Sequence, residues 1–413
     1  MSEVYITPCD SYDTTEVADA VDGIFQALGG IGRFVRPGER ILLKPNLLMP
    51  KQPSAATTTH PAIVAAVARA VIAAGGTAVI ADSPGGPYNR TVLRALYKVC
   101  GMERAAQESG AELNYNASVR EAAYPGGVTA KSFSVIEPFF ACDKVINLAK
   151  IKTHGMTYYT GGVKNLFGLI GGLSKAEYHM RYKNKEDFCS ALVDLCEFAK
   201  PALTILDGVV GMEGNGPSNG SPRALGVLVA GENPHLCDLA AAAIIGAKPD
   251  DVWTLRHAIT RGLCPQTLEG CAAGEPVERF AVDDFRFPDT KSVTFDDSLP
   301  KFIRRLANRL LLPFPQFDAQ RCVRCMRCAS VCPAGAISAT WETDGAEELP
   351  RTQEQEGAQN QNTQEAISLR VGEKDKRKGL PRLDKRNCIQ CYCCQELCPH
   401  DAILLQKRRV TKW

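Results

Sequence analysis

Eight cysteines near the end of the chain form two copies of one spacing pattern. In each copy three cysteines are separated by two residues, and a fourth follows after three more, with a proline directly behind it. The copies are Cys322-x2-Cys325-x2-Cys328-x3-Cys332-Pro333 and Cys388-x2-Cys391-x2-Cys394-x3-Cys398-Pro399. Bacterial proteins use this spacing to bind [4Fe–4S] clusters through cysteine thiolates. The pattern therefore predicts two [4Fe–4S] clusters.

The predicted ligand sets are crossed between the two copies. Three closely spaced thiolates wrap one cluster, and the fourth cysteine of the same run ligates the other cluster. One predicted set is Cys322, Cys325, Cys328 and Cys398, and the other is Cys388, Cys391, Cys394 and Cys332. Over residues 317–406 the chain resembles the bacterial two-cluster ferredoxin domain. That resemblance implies a small α+β domain that transfers single electrons and has a redox partner protein.

Zinc and disulfides fit this pattern less well. Structural zinc sites usually combine two C-x2-C pairs rather than triples followed by Cys-Pro. The chain has seventeen cysteines, so nine lie outside the two ligand sets, and disulfides are rare in reducing compartments. One of the nine, Cys393, lies inside the second run, where we expect a small buried residue rather than a ligand. Scattered thiols beside oxygen-sensitive clusters favour a reducing, anaerobic cytoplasm.

Polar residues follow four predicted strands in the first half of the chain. Between residues 4 and 246 short apolar runs alternate with helical periodicity, which predicts βαβ units and a mainly parallel, doubly wound sheet. Ligands of such sheets bind beyond the carboxyl ends of the strands. The polar segments are Lys44-Pro45-Asn46, Asp82-Ser83-Pro84-Gly85-Gly86, Lys150-x-Lys152-Thr153-His154 and Asp207-Gly208. Their positions predict one shared pocket.

The elements behind this prediction alternate regularly. The predicted strands are residues 4–7, 40–43, 77–81, 145–148, 203–206 and 225–229, and the predicted helices are residues 16–28, 61–74, 91–100, 185–199 and 235–245. The first residues lack the charged and apolar regions of a signal peptide.

Cationic residues and glycines are concentrated between Lys150 and His179. Ammonium groups and accessible backbone amides favour an anion such as a carboxylate or a phosphate. A solvated surface loop is the alternative, but residues 166–170 are apolar, which favours a buried pocket. We predict His154, Lys152 and Lys164 as catalytic residues, with His154 or a lysine of lowered pKa as proton donor. The predicted substrate-binding residues are Lys44, Asn46, Asp82, Lys150 and Asn165.

Several motifs in this region are characteristic of one family. They are Lys44-Pro45-Asn46, Thr58-Thr59-His60-Pro61, Asp82-Ser83-Pro84-Gly85-Gly86, Lys150-x-Lys152-Thr153-His154, the run from Thr160 to Gly168, and Gly211-Met212-Glu213-Gly214-Asn215-Gly216-Pro217. Through them residues 4–248 resemble the domain-of-unknown-function family number 362. Members of that family often carry a C-terminal ferredoxin domain. The resemblance implies the architecture of the chain rather than its reaction.

The predicted domain organisation follows from these patterns. An α/β domain is expected at residues 1–285, a linker with a basic helix at residues 286–316, and the cluster domain at residues 317–413. A strand is expected at residues 293–295, and the basic helix at residues 299–312. The polar segment at residues 341–379 predicts a disordered insertion between the two cysteine runs.

Composition and missing motifs exclude several classes of function. A net charge of +2 with no long basic tract gives no reason to expect a nucleic-acid partner. We see no apolar stretch approaching about 18 residues, so no membrane span is predicted, and we expect a soluble cytoplasmic protein. The glycine-rich stretches match neither a Walker loop nor G-x-G-x-x-G after a strand. The sequence therefore does not indicate a site for ATP or a nicotinamide cofactor.

Three functions remain open from the sequence. The first is an iron–sulfur oxidoreductase that acts on a small anionic substrate in the α/β domain. The second is a ferredoxin-like electron carrier whose large domain is a docking or regulatory module. The third is an isomerase or lyase that uses lysine and histidine chemistry and has structural clusters. Strand-end lysines and histidines favour the first, whereas the absence of a second recognisable cofactor favours the second.

Overall fold

The computed structural model describes residues 3–172, 174–288, 312–340 and 379–406. Three predictions therefore fall wholly or mostly outside the described residues: the strand at residues 293–295, the basic helix at residues 299–312 and the insertion at residues 341–379. The described residues form an α/β domain with a large, mainly parallel sheet and a small cluster domain. This confirms the predicted fold class.

Nine strands form the sheet of the α/β domain, and a separate hairpin packs beside it. The sheet strands are β1 (Val4–Pro8), β2 (Arg40–Pro45), β3 (Thr77–Ile80), β4 (Glu112–Leu113), β7 (Lys144–His154), β8 (Tyr158–Thr160), β9 (Leu203–Glu213), β10 (Ser221–Gly231) and β11 (Ala272–Gly274), and the hairpin strands are β5 (Val119–Ala123) and β6 (Ser132–Ile136). Their order is β11-β1-β10-β9-β7-β2-β3-β4, with β8 paired to β7. Strands β9, β7, β2, β3 and β4 are parallel neighbours. Their carboxyl ends therefore meet at one edge of the sheet.

Helices cover both faces of this sheet. They are α1 (Thr14–Ala27), α2 (Pro61–Ala73), α3 (Arg90–Val99), α4 (Met102–Ser109), α5 (Gly162–Asn165), α6 (Ser174–Arg181), α7 (Lys185–Ala199), α8 (Pro234–Ile244) and α9 (Trp253–Thr260). Helices α1 to α4 pack on one face, and α7, α8 and α9 pack on the other. Every residue of β7 except Lys144 is buried, as expected of a strand with helices on both sides. None of the helices in the described residues has the length and apolar character needed to cross a bilayer.

Most predicted elements match observed ones to within two residues at each end, but three strands are at least six residues longer than predicted. Strands β7, β9 and β10 each have 11 residues. The predictions ended early because Lys150, Lys152 and Asp207 interrupt the apolar runs at the sheet edge. At the start of α2 the His60 side chain caps the helix by accepting a hydrogen bond from the Ala62 amide.

The cluster domain is built from two similar halves. Its elements are β12 (Phe314–Phe317), α10 (Arg327–Ser330), β13 (Ile337–Ser338), β14 (Arg382–Leu383), α11 (Cys393–Glu396) and β15 (Ile403–Gln406). Strand β12 pairs with β15, and β13 pairs with β14. Each cysteine run thus lies between two short strands, and the crossed pairing brings the two runs together.

Candidate active site between the two domains

A cavity of about 110 Å³ lies between the carboxyl edge of the sheet and the cluster domain. Its size is below the 150 Å³ or so of a cavity that holds benzene, so it suits a ligand of a few heavy atoms. The polar side chains in its wall are Asn46, Asp82, Ser83, Lys152, His154, Thr160, Lys164, Asn165, Lys175, His179, Ser330 and Glu396.

Six of the eight residues predicted for this pocket line the cavity. They are His154, Lys152 and Lys164 from the predicted catalytic set, and Asn46, Asp82 and Asn165 from the predicted binding set. Lys44 and Lys150 are not part of the wall. The roles assigned to all eight residues stay predictions.

Lys44 is buried behind the cavity wall in an ion pair. Its Nζ lies 2.6 Å from Asp82 Oδ1, and Asp82 Oδ2 also accepts a hydrogen bond from the Leu47 amide. Asp82 therefore neutralises Lys44 rather than remaining a free carboxylate.

The structure places Lys150 in a separate polar cluster, away from the cavity. Its Nζ lies 2.9 Å from Asp207 Oδ2 and donates to the Tyr12 hydroxyl at 2.7 Å. The Lys152 ammonium binds other partners, Asn46 and Thr57, so the two-residue spacing does not bring both ammonium groups to one site. The predicted grouping of Lys150 with the pocket lysines fails for this reason.

Lys152 faces the cavity but is held by neutral oxygen atoms. Its Nζ donates to Asn46 Oδ1 at 2.8 Å and to the Thr57 carbonyl at 2.6 Å. The Asn46 amide nitrogen donates in turn to Asn165 Oδ1. Burial lowers the pKa of Lys152 to about 7, because no carboxylate forms an ion pair with it among the described residues.

Lys164 is the cavity lysine whose ammonium forms no hydrogen bond or ion pair with the described residues. Its Nζ lies 4.5 Å from the centre of the Phe167 ring, a cation–π contact. Burial lowers its pKa from the ordinary value. The Lys175 Nζ, by contrast, donates to the Ser83 hydroxyl and the Pro84 carbonyl. Lys164 thus keeps its donors for a ligand.

Asp238 positions the turn that carries Lys164. Its carboxylate accepts hydrogen bonds from the Gly162 amide at 2.6 Å and the Val163 amide at 3.1 Å. A Cβ atom at Gly161 would lie 2.0 Å from the Tyr159 hydroxyl oxygen and 2.3 Å from Asp238 Oδ1, so only glycine fits there. The glycine-rich sequence therefore allows close packing under helix α5.

His154 presents one ring nitrogen to the cavity. Its Nδ1 accepts hydrogen bonds from the amides of Met156 at 3.0 Å and Thr157 at 3.4 Å. Burial, with Lys164 and Lys152 nearby, holds the pKa of His154 well below its usual range. The neutral ring therefore carries its proton on Nε2, which has no hydrogen-bond partner among the described residues. His154 thus fits a neutral hydrogen-bond donor better than the predicted proton donor.

The two cysteine runs have matching backbone geometry. Arg324 and Met326 in the first run, and Gln390 and Tyr392 in the second, all have positive φ angles. In addition, the amides of Ala336 and Ala402 each donate to the sulfur of the fourth cysteine of their run at 3.3 Å. Hydrogen bonds of this kind tune the potentials of iron–sulfur clusters.

The cysteines also group in space as the crossed pattern predicts, although ligation itself stays a prediction. One cavity is lined by Cys322, Cys325, Cys328 and Cys398. Burial and the neighbouring thiols of Cys391, Cys388 and Cys332 raise the pKa of Cys394. Four thiols around one space and repeated amide-to-sulfur hydrogen bonds fit a pair of clusters.

Comparison with known proteins accounts for both domains. A family model described as a domain of unknown function (DUF362) matches residues 41–243, and a 4Fe-4S dicluster domain matches residues 321–402. The thylakoid-associated protein sll1697 of Synechocystis sp. (strain ATCC 27184 / PCC 6803 / Kazusa) is 31% identical over 323 residues, which are 76% of this chain and 96% of that protein. The chain belongs to the DUF362 family. Its dicluster domain makes it an iron–sulfur protein.

Two solved structures are more distantly similar. The lactate racemase apoprotein from Thermoanaerobacterium thermosaccharolyticum has 13% sequence identity and a TM-score of 0.35 over 58% of this chain. A protein from Thermotoga maritima has 12% identity and a TM-score of 0.34 over 55% of this chain. This chain spans 57% of each of them.

Sequence reasoning missed the part of the cavity wall that comes from the dicluster domain. Cys393, Glu396 and Leu397 of that domain line the cavity opposite the DUF362 domain. Glu396 Oε2 lies 3.6 Å from His154 Nε2, and its carboxylate accepts no hydrogen bond from the described residues. The available signal was the position of Glu396 between two predicted ligands, Cys394 and Cys398.

The glycine-rich motif ending at Pro217 joins the two domains. The Gln395 side chain donates to the Asn215 carbonyl at 3.1 Å. The Ser218 hydroxyl donates to the Glu396 carbonyl at 2.5 Å, and the Asn219 side chain donates to the Gln395 carbonyl at 3.1 Å. Pro217 lines the cavity, whereas the residues around it hold helix α11 against the DUF362 domain.

Proposed function

We propose that the protein is an oxidoreductase that exchanges electrons with a small carboxylate or other small anion bound between its domains. One observation carries the proposal. Helix α11, which contains the predicted cluster ligand Cys394, forms one wall of the cavity that Lys164 and His154 line from the opposite domain. A molecule in this cavity lies beside the second cysteine run.

Lys164 is the proposed anchor of the anion. An ammonium group that lacks a carboxylate partner gains a charge-assisted hydrogen bond when an anion binds. The His154 Nε2–H adds a neutral donor, and the Lys152–Asn46–Asn165 hydrogen bonds hold the adjoining wall rigid. Asp82 is occupied by Lys44, so it does not repel the anion strongly.

Lys152 is the proposed proton donor and acceptor. A pKa of about 7 leaves it part protonated at neutral pH, and general acid–base catalysis is most efficient when the pKa is close to the working pH. His154 is less suitable, because its neutral ring would have to become an imidazolate to release a proton.

The proposed cluster ligands are Cys322, Cys325, Cys328 and Cys398 for one cluster and Cys388, Cys391, Cys394 and Cys332 for the other. When bound, the two clusters supply single electrons at low potential. A reducing, anaerobic cytoplasm is the proposed location, supported by the eight thiols that lie outside the dicluster domain; cell fractionation checks this.

Redox titration under anaerobic conditions tests whether the cavity and the clusters are coupled. Propionate serves as the probe, because its five heavy atoms suit the cavity. An anion beside a cluster opposes the addition of an electron, so we expect propionate to make one reduction potential more negative. A tenfold difference in affinity between the two redox states corresponds to about 59 mV. Native mass spectrometry of the purified protein then identifies any resident anion.

Lys164→Met is the matched variant for this titration. It should retain the wild-type iron and sulfide content and lose the propionate-dependent shift. Propionate binding that leaves both potentials unchanged in the wild type would overturn the oxidoreductase proposal and favour a carrier with a separate binding module.

A further inference from the structure

The two cysteine runs differ in exposure although their spacing is identical. All of Cys388, Cys391, Cys394 and the neighbouring Cys393 are buried. In the first run Cys325 is exposed, and Val323, two residues before it, keeps 47% of its surface accessible. Of the two runs, as far as the described residues show, only the first is therefore open to another protein.

Arginines surround this exposed edge. Arg321, Arg324 and Arg327 alternate with the cysteines of the first run. Arg321 forms an ion pair with Asp401 at 3.0 Å, and Arg324 Nε donates to the Gly379 carbonyl at 2.7 Å. Neither Arg324 nor Arg327 has a carboxylate partner among the described residues. The edge thus combines an apolar tip with uncompensated positive charge.

We propose that this surface, formed by Arg321, Val323, Arg324, Cys325 and Arg327 and named here the arginine surface, docks an acidic one-electron carrier protein. The proposal rests on the two clusters of the proposed function, but not on the substrate cavity. Cys322, Cys325 and Cys328 of the first run, with Cys398, would hold the cluster that exchanges one electron with the carrier; one partner would be oxidised as the other is reduced, and no bond or proton would be exchanged.

The chemistry of the surface favours this partner over others. Electron-transfer complexes are small and short-lived, so one exposed valine suits them better than a broad apolar patch would. Unpaired arginines attract an acidic protein over a distance and orient it before contact. The partner's cofactor then approaches Cys325, the exposed cysteine of the run.

Binding of the full-length, cluster-loaded protein to an acidic flavodoxin tests the arginine surface. Calorimetric titration measures the affinity at low and at physiological ionic strength. We expect a Kd that rises steeply with salt, because exposed charges are screened within about 8–10 Å under these conditions. The double variant Arg324→Glu/Arg327→Glu should bind at least about tenfold more weakly.

Arg36→Glu is the matched control, because Arg36 is exposed and precedes the amino end of β2, opposite the sheet edge that carries the dicluster domain. Its affinity should equal that of the wild type. If the double variant loses iron, the single variant Arg327→Gln replaces it, with a loss of severalfold expected. Unchanged binding in the iron-replete variant, or tighter binding of the basic protein cytochrome c, overturns the proposal. The propionate titration does not involve this surface. A negative result in one experiment therefore leaves the other proposal standing.

Discussion

The DUF362 domain contains two kinds of buried lysine. Lys44 and Lys150 each have a carboxylate partner, at 2.6 and 2.9 Å. Lys152 and Lys164 have none among the residues described, and both line the interdomain cavity. Burying an ammonium costs free energy unless an opposite charge offsets it. The paired lysines therefore have their charge offset locally, whereas Lys152 and Lys164 outnumber the Glu396 carboxylate in the same cavity wall and leave positive charge for an anion to offset.

The largest effect expected from this comparison is on stability. Asp207→Asn should lower the free energy of unfolding by about 3–5 kcal/mol, because it leaves the Lys150 ammonium buried without its counter-charge. Chemical denaturation of the anaerobic protein, followed by circular dichroism, measures the loss. Asp284→Asn is the control, since Asp284 pairs with Arg223 at the exposed surface and should change little. Equal effects of the two variants would contradict the distinction.

For the unpaired Lys164 we expect a smaller effect, and we expect it on ligand binding rather than on stability. Lys164→Met should weaken propionate binding by about 10- to 100-fold, the equivalent of one charge-assisted hydrogen bond of roughly 1.5–3 kcal/mol. Stability should be almost unchanged, because no ion pair with a described residue is lost. Calorimetric titration and denaturation of the same preparation measure both quantities. A large loss of stability without a loss of binding would assign Lys164 to the paired class.

The smallest effect expected is a pH dependence. Burial lowers the pKa of Lys152 to about 7, so its ammonium loses its proton as the pH rises through that value. Propionate stays ionised throughout this range, so its affinity should be highest below pH 7 and should fall above it. Lys175 has a pKa of about 7 for the same reason. Between pH 6 and pH 9 the fall in propionate affinity should therefore be smaller in Lys152→Met than in the wild type, but still present. If the variant and the wild type have the same pH profile, Lys152 is not the group whose titration lowers the affinity.

The sequence was sufficient to predict where the lysines lie but not which of them are paired. Strand-end polar segments identify the active edge of a parallel sheet, because the carboxyl ends of neighbouring strands converge there. Whether a lysine finds a counter-charge depends on residues far away in the chain, such as Asp207 for Lys150. Two lysines that are only two positions apart, Lys150 and Lys152, consequently have different partners.

For the cysteine runs, in contrast to the lysines, residues close together in the sequence are sufficient to predict most of the site. Their spacing predicts both the cluster type and the grouping of thiols, because most ligands of one set come from a single short loop. Burial of the second run is not encoded in that spacing. It follows from contacts with the DUF362 domain, where Cys391, Tyr392 and Cys393 join the apolar cluster that contains Phe167 and Phe188.

Gly85 shows how closely the two domains are fitted to each other. A Cβ atom at this position of the DUF362 domain would lie 2.5 Å from Leu397 Cδ2 of the dicluster domain. A larger residue at Gly85 would thus force a shift of Leu397, which lies more than three hundred positions away in the sequence. The two halves are consequently not interchangeable modules. A chimaera that joins this DUF362 domain to an unrelated ferredoxin would need a matching surface as well as the right cysteines.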